Sequence, residues 1–290
     1  MGFPLRVGIS LAPDHGPAQA ADIEERGFDL LLLADHLFHY REPDRPFLDA
    51  WMRLAAITQT TSRIRLGTLV TNLSWRQPVL VAKNAIALDQ LSAGRLELGV
   101  GCGAYADQAM VDGELMSPGE RVRRLDEGLD VLDRLLSGNI DPFAGGFTRY
   151  DLASVAPGCV QTPRPPFTVA AFGERALAVA ARRADIWSCV TGDVDIASSI
   201  SSITEKVRIL DASCERAGRD PQTLRRSLLL WRTGGTDPWA RRGSLLEMVE
   251  RFTPLGFSDF IAFSPTSEEQ DVFDHVSSNI LPTLHVESPG

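Results

Sequence analysis

What constrains this chain most is a rhythm repeated from end to end. Short, nearly continuous apolar runs alternate with longer stretches whose apolar residues recur every three or four positions. The short runs lie at 5–11, 28–33, 63–70, 95–103, 167–172, 185–190, 226–231 and 258–263. Helical spacing fills 18–27, 50–60, 78–91, 117–136, 174–183, 197–217, 244–252 and 267–281. A run that is apolar at successive positions suits a parallel strand buried on both faces. Eight strand–helix units in 290 residues fit a closed (β/α)8 TIM barrel better than an open doubly wound sheet. No linker divides them, so the chain reads as a single barrel domain over 1–290. The rhythm lapses only at about 137–166, where Gly and Pro accumulate, which marks an insertion before the fifth strand with a small β excursion at 148–152.

Local signals agree with this reading. Ser117-Pro118-Gly119-Glu120 is a capping box opening a helix whose Val122, Leu125, Leu129, Leu132 and Leu136 form one stripe. Pro78 suits a first helical position, and Gly27 and Gly218 suit helix C-caps.

Composition excludes several classes. A formal net charge of -9 argues against a nucleic-acid binder, whose affinity comes from a basic face. No apolar stretch approaches the ~20 residues of a membrane-spanning helix, and no basic and apolar leader follows Met1. The four cysteines, Cys102, Cys159, Cys189 and Cys214, are dispersed without metal-ligand spacing. The expectation is a cytoplasmic, reduced, metal-free protein acting on a small molecule.

In a TIM barrel the ligand sits at the C-terminal ends of the strands. That gathers Asp35-His36, Thr68 to Asn72, Gly101 to Gly103 and Ala171 to Gly173 around one mouth. Gly99, Gly101 and Gly103 alternate where their strand ends, which fits either a close backbone approach to a phosphate or a tight turn. Gly173 stands at a strand-to-helix junction whose N–H groups and dipole favour an anion, or simply form a tight turn. His36 can exchange a proton near neutral pH, with Asp35 orienting it or capping the next element. His39 reads as a solvated bystander, Trp187 as packing, and Cys102 as a small residue rather than a nucleophile.

Several motifs in order carry a resemblance. Ala-Asp-His-Leu at 34–37, Thr-Ser-Arg-Ile-Arg-Leu-Gly-Thr-Leu-Val-Thr at 61–71, Pro-Val-Leu-Val-Ala-Lys at 78–83, Leu-Asp-Gln-Leu-Ser-Ala-Gly-Arg-Leu-Glu-Leu-Gly-Val-Gly at 88–101 and Ser-Pro-Gly-Glu-Arg at 117–121 resemble the bacterial-luciferase-like flavin oxidoreductases. The resemblance covers residues 6–187, and the remainder only by its rhythm.

It implies a TIM barrel that uses either the deazaflavin coenzyme F420, which transfers hydride, or FMN, often with oxygen. It further implies that Asp35 and His36 lie by the ring, that Leu69-Val70 is a non-prolyl cis peptide behind it, and that Thr71 belongs to the same wall. Gly101, Cys102 and Gly103, with Ala171, Phe172 and Gly173, would then hold the cofactor and its phosphate. Some sugar-phosphate-oxidising, deazaflavin-dependent members carry a glutamate where this chain has Ala104. The proton must then come from His36, Tyr105 or water. The expectation is hydride transfer between F420 and a small imine, carbonyl, alcohol or activated alkene, with FMN monooxygenation as the alternative. A non-catalytic flavin-binding protein is a rival that the presence of His36 beside the glycine run disfavours. A homodimer is expected from the resemblance, and a substrate pocket lined partly by the insertion.

Overall fold

The computed structural model describes residues 2–40, 42–103, 111, 116–192, 195–232 and 235–286. The barrel strands are β1 (Arg6–Ser10), β2 (Leu30–Leu33), β3 (Arg65–Thr68), β5 (Leu96–Gly101), β8 (Phe167–Ala170), β9 (Ile186–Val190), β10 (Arg225–Leu230) and β11 (Asp259–Phe263). All pair in parallel, and the ring closes because β1 bonds both β2 and β11 while β3 bonds β5. β4 (Thr71–Asn72) continues β3 beyond a cis Leu69–Val70 peptide and pairs with β5. The expected (β/α)8 barrel is the observed fold.

The helices follow the expected spacing: α1 (Pro17–Glu25), α2 (Ala50–Ile57), α3 (Pro78–Leu91), α4 (Pro118–Leu136), α5 (Glu174–Arg183), α6 (Ile196–Arg216) and α7 (Ser244–Phe252). The capping box is formed, with the Ser117 hydroxyl accepting from the Glu120 N–H and the Glu120 carboxylate accepting from the Ser117 N–H. The last expected helix is broken instead of continuous. A 3-10 turn, α8 (Gln270–His275), a π segment at Val276–Ile280 and α9 (Leu281–Val286) succeed one another. Pro282, which has no N–H to donate to the carbonyl four residues back, follows the π segment, where the Leu281 N–H donates to the Val276 carbonyl five residues back.

Strand alternation sorts the barrel into layers. Val7, Ile9, Leu31, Leu33, Phe260 and Ala262 point outward and merge with the buried faces of the helices. Leu30, Leu32 and Ile261 form a separate apolar cluster, with Leu69 and Leu229 above it, on the inward parity. Below lies a layer of charge. Arg6 donates to both Glu97 and Asp259, Arg65 donates to Glu97, and Arg225 donates to Asp259. Arg6 and Glu97 stand on strands separated by β2 and β3, so their 2.6 Å contact crosses the lumen. The floor is thus sealed by paired ions, which leaves the opposite end as the open one.

The insertion does not reach that open end. It forms a small hairpin, β6 (Phe143–Ala144) with β7 (Arg149–Tyr150), whose turn N–H groups at Gly146, Phe147 and Thr148 donate to the Glu127 carboxylate. Farther on, Asp89 accepts from the N–H groups of Val160 and Gln161, and Gln161 donates to the Leu96 carbonyl at the start of β5. A segment between a helix and the next strand is an αβ connection, and αβ connections lie at the N-terminal face of a barrel. The expectation that the insertion lines the pocket is therefore corrected: no residue of 137–166 lines the cavity described below.

Candidate active site

A cavity of about 730 Å³ opens at the C-terminal ends of the strands. Its deep wall continues the inward parity of the barrel, with Leu69, Gly101, Ala170, Ser188, Val190, Leu229 and Trp231. Its rim is built from the start of α4 (Pro118, Gly119, Arg121) and of α5 (Glu174, Arg175, Ala176). An apolar slot below a rim that carries Arg121 and Arg175, with Glu174 beside them, suits a flat ring carrying an anionic tail.

Ten of the expected contact residues line this cavity: Asp35 and His36, Leu69 and Val70, Gly101 to Gly103, and Ala171 to Gly173. Thr71 does not. Its side chain is buried and its hydroxyl donates to Thr68 Oγ1, which in turn donates to the Gly99 carbonyl, so Thr71 ties β4 to β3 and β5. Tyr105 and Ala104 lie outside the described residues.

The three alternating glycines have three different causes. At Gly99 a Cβ would lie 1.9 Å from the Thr68 carbonyl oxygen, so this glycine serves strand packing and not a ligand. At Gly101 it would meet Val70 Cγ2 at 2.7 Å, directly under the cavity. Gly103 has φ of +76°, and a Cβ there would fall on the Asn72 amide, 1.8 Å from its Oδ1. Arg121 donates to the Gly103 carbonyl at 3.0 Å and so fastens the end of the run to α4.

Gly173 is the N-cap residue of α5 and has no side chain to satisfy the first-turn N–H groups. A Cβ at Gly173 would meet nothing within 4 Å, so space stands open in front of that helix end. Ala171, two residues before it, is fixed by the indole of the buried Trp187, which donates to its carbonyl at 2.9 Å. Trp187 is therefore packing, and it shapes this corner of the rim.

Asp35 is only 1% exposed and is gripped by Arg76, whose Nε and a terminal nitrogen donate to its two oxygens at 2.7 Å each. Burial pushes the Asp35 carboxyl up, and the Arg76 guanidinium pulls it back. Arg76 also donates to Asp49, the N-cap of α2, and lies over the Trp75 ring. Asp35 thus anchors the end of β2 and leaves His36 to another partner. The hydroxyl of Tyr40 stands 2.8 Å from His36 Nδ1, and its ring meets the imidazole edge-on at 4.6 Å. His39 does not line the cavity; its Nδ1 accepts from the Glu42 N–H and closes an exposed turn after Tyr40. Burial pushes the Cys102 thiol up to about 11, which fits its reading as a small wall residue.

Sequence reasoning missed Arg76, Tyr40, Arg121 and Trp231. Arg76 and Arg121 act on groups 41 and 18 residues away, and no spacing rule links them. Trp231 had a signal, since it follows β10 on the parity of Leu229.

Comparison with known proteins gives the family. A family model described as luciferase-like monooxygenase matches residues 6–232. An F420-dependent hydroxymycolic acid dehydrogenase of Mycobacterium tuberculosis is 31% identical over 246 residues, 82% of this chain and 65% of that protein. The chain thus spans just under two thirds of that relative. An F420-dependent glucose-6-phosphate dehydrogenase of Intrasporangium calvum is 27% identical, covering 97% of this chain and 99% of its own. Among solved structures, an F420-dependent secondary alcohol dehydrogenase in complex with an F420–acetone adduct superposes with a TM-score of 0.84. It shares 18% identity and covers 97% of this chain and 99% of its own. The fold, the open strand ends and the matched segment lead to one conclusion: this chain belongs to the luciferase-like monooxygenase family.

Proposed function

We propose that the protein is an oxidoreductase that transfers a hydride between coenzyme F420 and a small organic substrate, a carbonyl, imine, alcohol or activated alkene. The observation that carries this reading is the pairing, in one cavity, of the glycine-capped helix end at Gly173 with His36 across an apolar slot. Two F420-dependent relatives favour the deazaflavin. The description of the family as monooxygenases favours FMN with oxygen as the second reading.

The residues fit a phosphate-bearing, flavin-type group. The N–H groups at the start of α5 would hold the phosphate, with Gly101 and Gly103 lining the cavity beside them. Arg121 and Arg175 supply positive charge at the same rim. Leu69 and Val70 would support the ring, and Cys102, Ala171 and Phe172 would complete the wall. When bound, the deazaflavin supplies or accepts the hydride. His36 holds the substrate oxygen or nitrogen by a hydrogen bond and moves its proton, while the apolar slot keeps water from the reacting carbon.

The same reading includes a single barrel domain over 1–290 and a homodimer in the cytoplasm. Leu48, Met52 and Leu80, exposed by 64%, 66% and 65% on or beside α2 and α3, support a subunit contact there. The test of the catalytic role is His36→Ala. Cofactor affinity should stay within a few-fold while turnover with reduced F420 and candidate carbonyls falls by about 100-fold. Unchanged turnover refutes the role of His36.

A further inference from the structure

His36 lines the cavity, and its Nδ1 has a partner in the loop that follows β2. Nδ1 lies 2.8 Å from the Tyr40 hydroxyl, within hydrogen-bond distance. The two residues are four apart in the loop after β2, and Tyr40 is held by ring contacts. It meets His36 edge-on at 4.6 Å and Phe38 edge-on at 5.1 Å, while Phe47 flanks the imidazole at 6.1 Å. Tyr40 is also 41% exposed, so its far side meets water.

A neutral imidazole carries one proton, and the partner of one nitrogen decides what the other can do. Imidazole nitrogen is a much stronger base than a phenol oxygen, so in a neutral pair the phenol donates and Nδ1 accepts. The proton then resides on Nε2. In this tautomer Nε2 offers an N–H to a substrate oxygen.

We propose that Tyr40 is the positioning residue of His36: its hydroxyl fixes the Nε2–H tautomer and couples the imidazole to solvent. This rests on the hydride-transfer reading for its chemical use. As the substrate carbon gains hydride, its π bond breaks and the electron pair moves to oxygen, which takes the proton from Nε2. Nδ1 takes the hydroxyl proton of Tyr40 at the same time, so the imidazole stays neutral. The phenolate left on Tyr40 is reprotonated by water at its exposed face. For alcohol oxidation the same shifts run in reverse.

The variant Tyr40→Phe keeps the ring and both edge-on contacts and removes only the hydroxyl. Nitrogen-15 spectra of the His36 side chain, recorded without cofactor and well above the ordinary imidazole range, report which nitrogen is protonated. The wild-type protein should show the Nε2–H form alone, and Tyr40→Phe a mixture of both tautomers. In turnover with reduced F420 and a carbonyl substrate, the variant should lose about ten- to a hundredfold in kcat with little change in KM. A wild-type imidazole protonated on Nδ1, or the same tautomer in both proteins, overturns the proposal. So does a raised KM with unchanged kcat. If the wild-type protein shows no hydride transfer at all, the proposed function falls while the tautomer comparison still decides the role of Tyr40.

Discussion

Replacing Arg76 by Met tests the architecture of the active-site wall through a number that depends on pH. Arg76 makes two 2.7 Å hydrogen bonds to a carboxylate that is 1% exposed. Charge-assisted bonds contribute roughly 1.5–3 kcal/mol each, and breaking a buried pair by removing one partner costs roughly 3–5 kcal/mol. Protonation sets a ceiling on that loss. Neutralising a carboxyl of ordinary pKa of about 3.9 at about pH 7 costs about 4 kcal/mol, and at about pH 5 about 1.5 kcal/mol. Asp35 already stands above its ordinary range with Arg76 in place, which lowers the ceiling relative to wild type, so Arg76→Met should lose roughly 2–4 kcal/mol near about pH 7. Burial already pushes Asp35 up, and without Arg76 it rises further. A carboxyl whose folded pKa exceeds its unfolded value favours the folded state when protons are abundant. The part of the deficit that belongs to the Asp35 charge is thus absent below the unfolded pKa and grows as pH rises towards the folded one, by up to about 1.4 kcal/mol per unit. Urea unfolding of the wild type, Arg76→Met and the double variant Asp35→Asn/Arg76→Met at several pH values measures it. The double variant should recover most of the loss near neutrality, keeping only the part due to Asp49 and Trp75. A deficit that does not change with pH, or a double variant as unstable as the single one, rules out the unpaired Asp35 charge as its cause.

Two further predictions concern the glycine run. Gly103→Ala places a Cβ on the Asn72 amide in a left-handed conformation, and should cost about 1–3 kcal/mol of stability and weaken cofactor binding more than tenfold, read by thermal melting and absorbance titration. Cys102, with its thiol pushed up to about 11, should react slowly with iodoacetamide near neutrality and speed up as pH approaches that value, which mass spectrometry of the labelled peptide can follow.

The fold was legible because each level repeats the same instruction. Leu30–Leu33 can only be a strand buried on both faces, and Ser117 with Glu120 starts its helix where the capping chemistry demands. The mouth was legible too, since the barrel brings His36, Gly101 and Gly173 together whatever their separation in sequence. Long-range ionic pairing was not legible. Nothing local in Arg76 points to Asp35, and nothing in Arg6 points across the lumen to Glu97. The insertion was misplaced for a simpler reason: it follows α4, and the direction of a helix determines which end of the barrel receives the next connection. Gly99 shows that a pattern in sequence can combine unrelated causes, because its neighbour in space is the Thr68 carbonyl and not a ligand.

The central claim, a deazaflavin held for hydride transfer, is tested most directly by titrating the purified protein with F420 and with FMN side by side, following the absorption and fluorescence of each. Saturable, tighter binding of F420 is expected, with the bound reduced form oxidised on addition of a carbonyl or imine substrate. Tight binding of FMN with no saturable binding of F420 contradicts it.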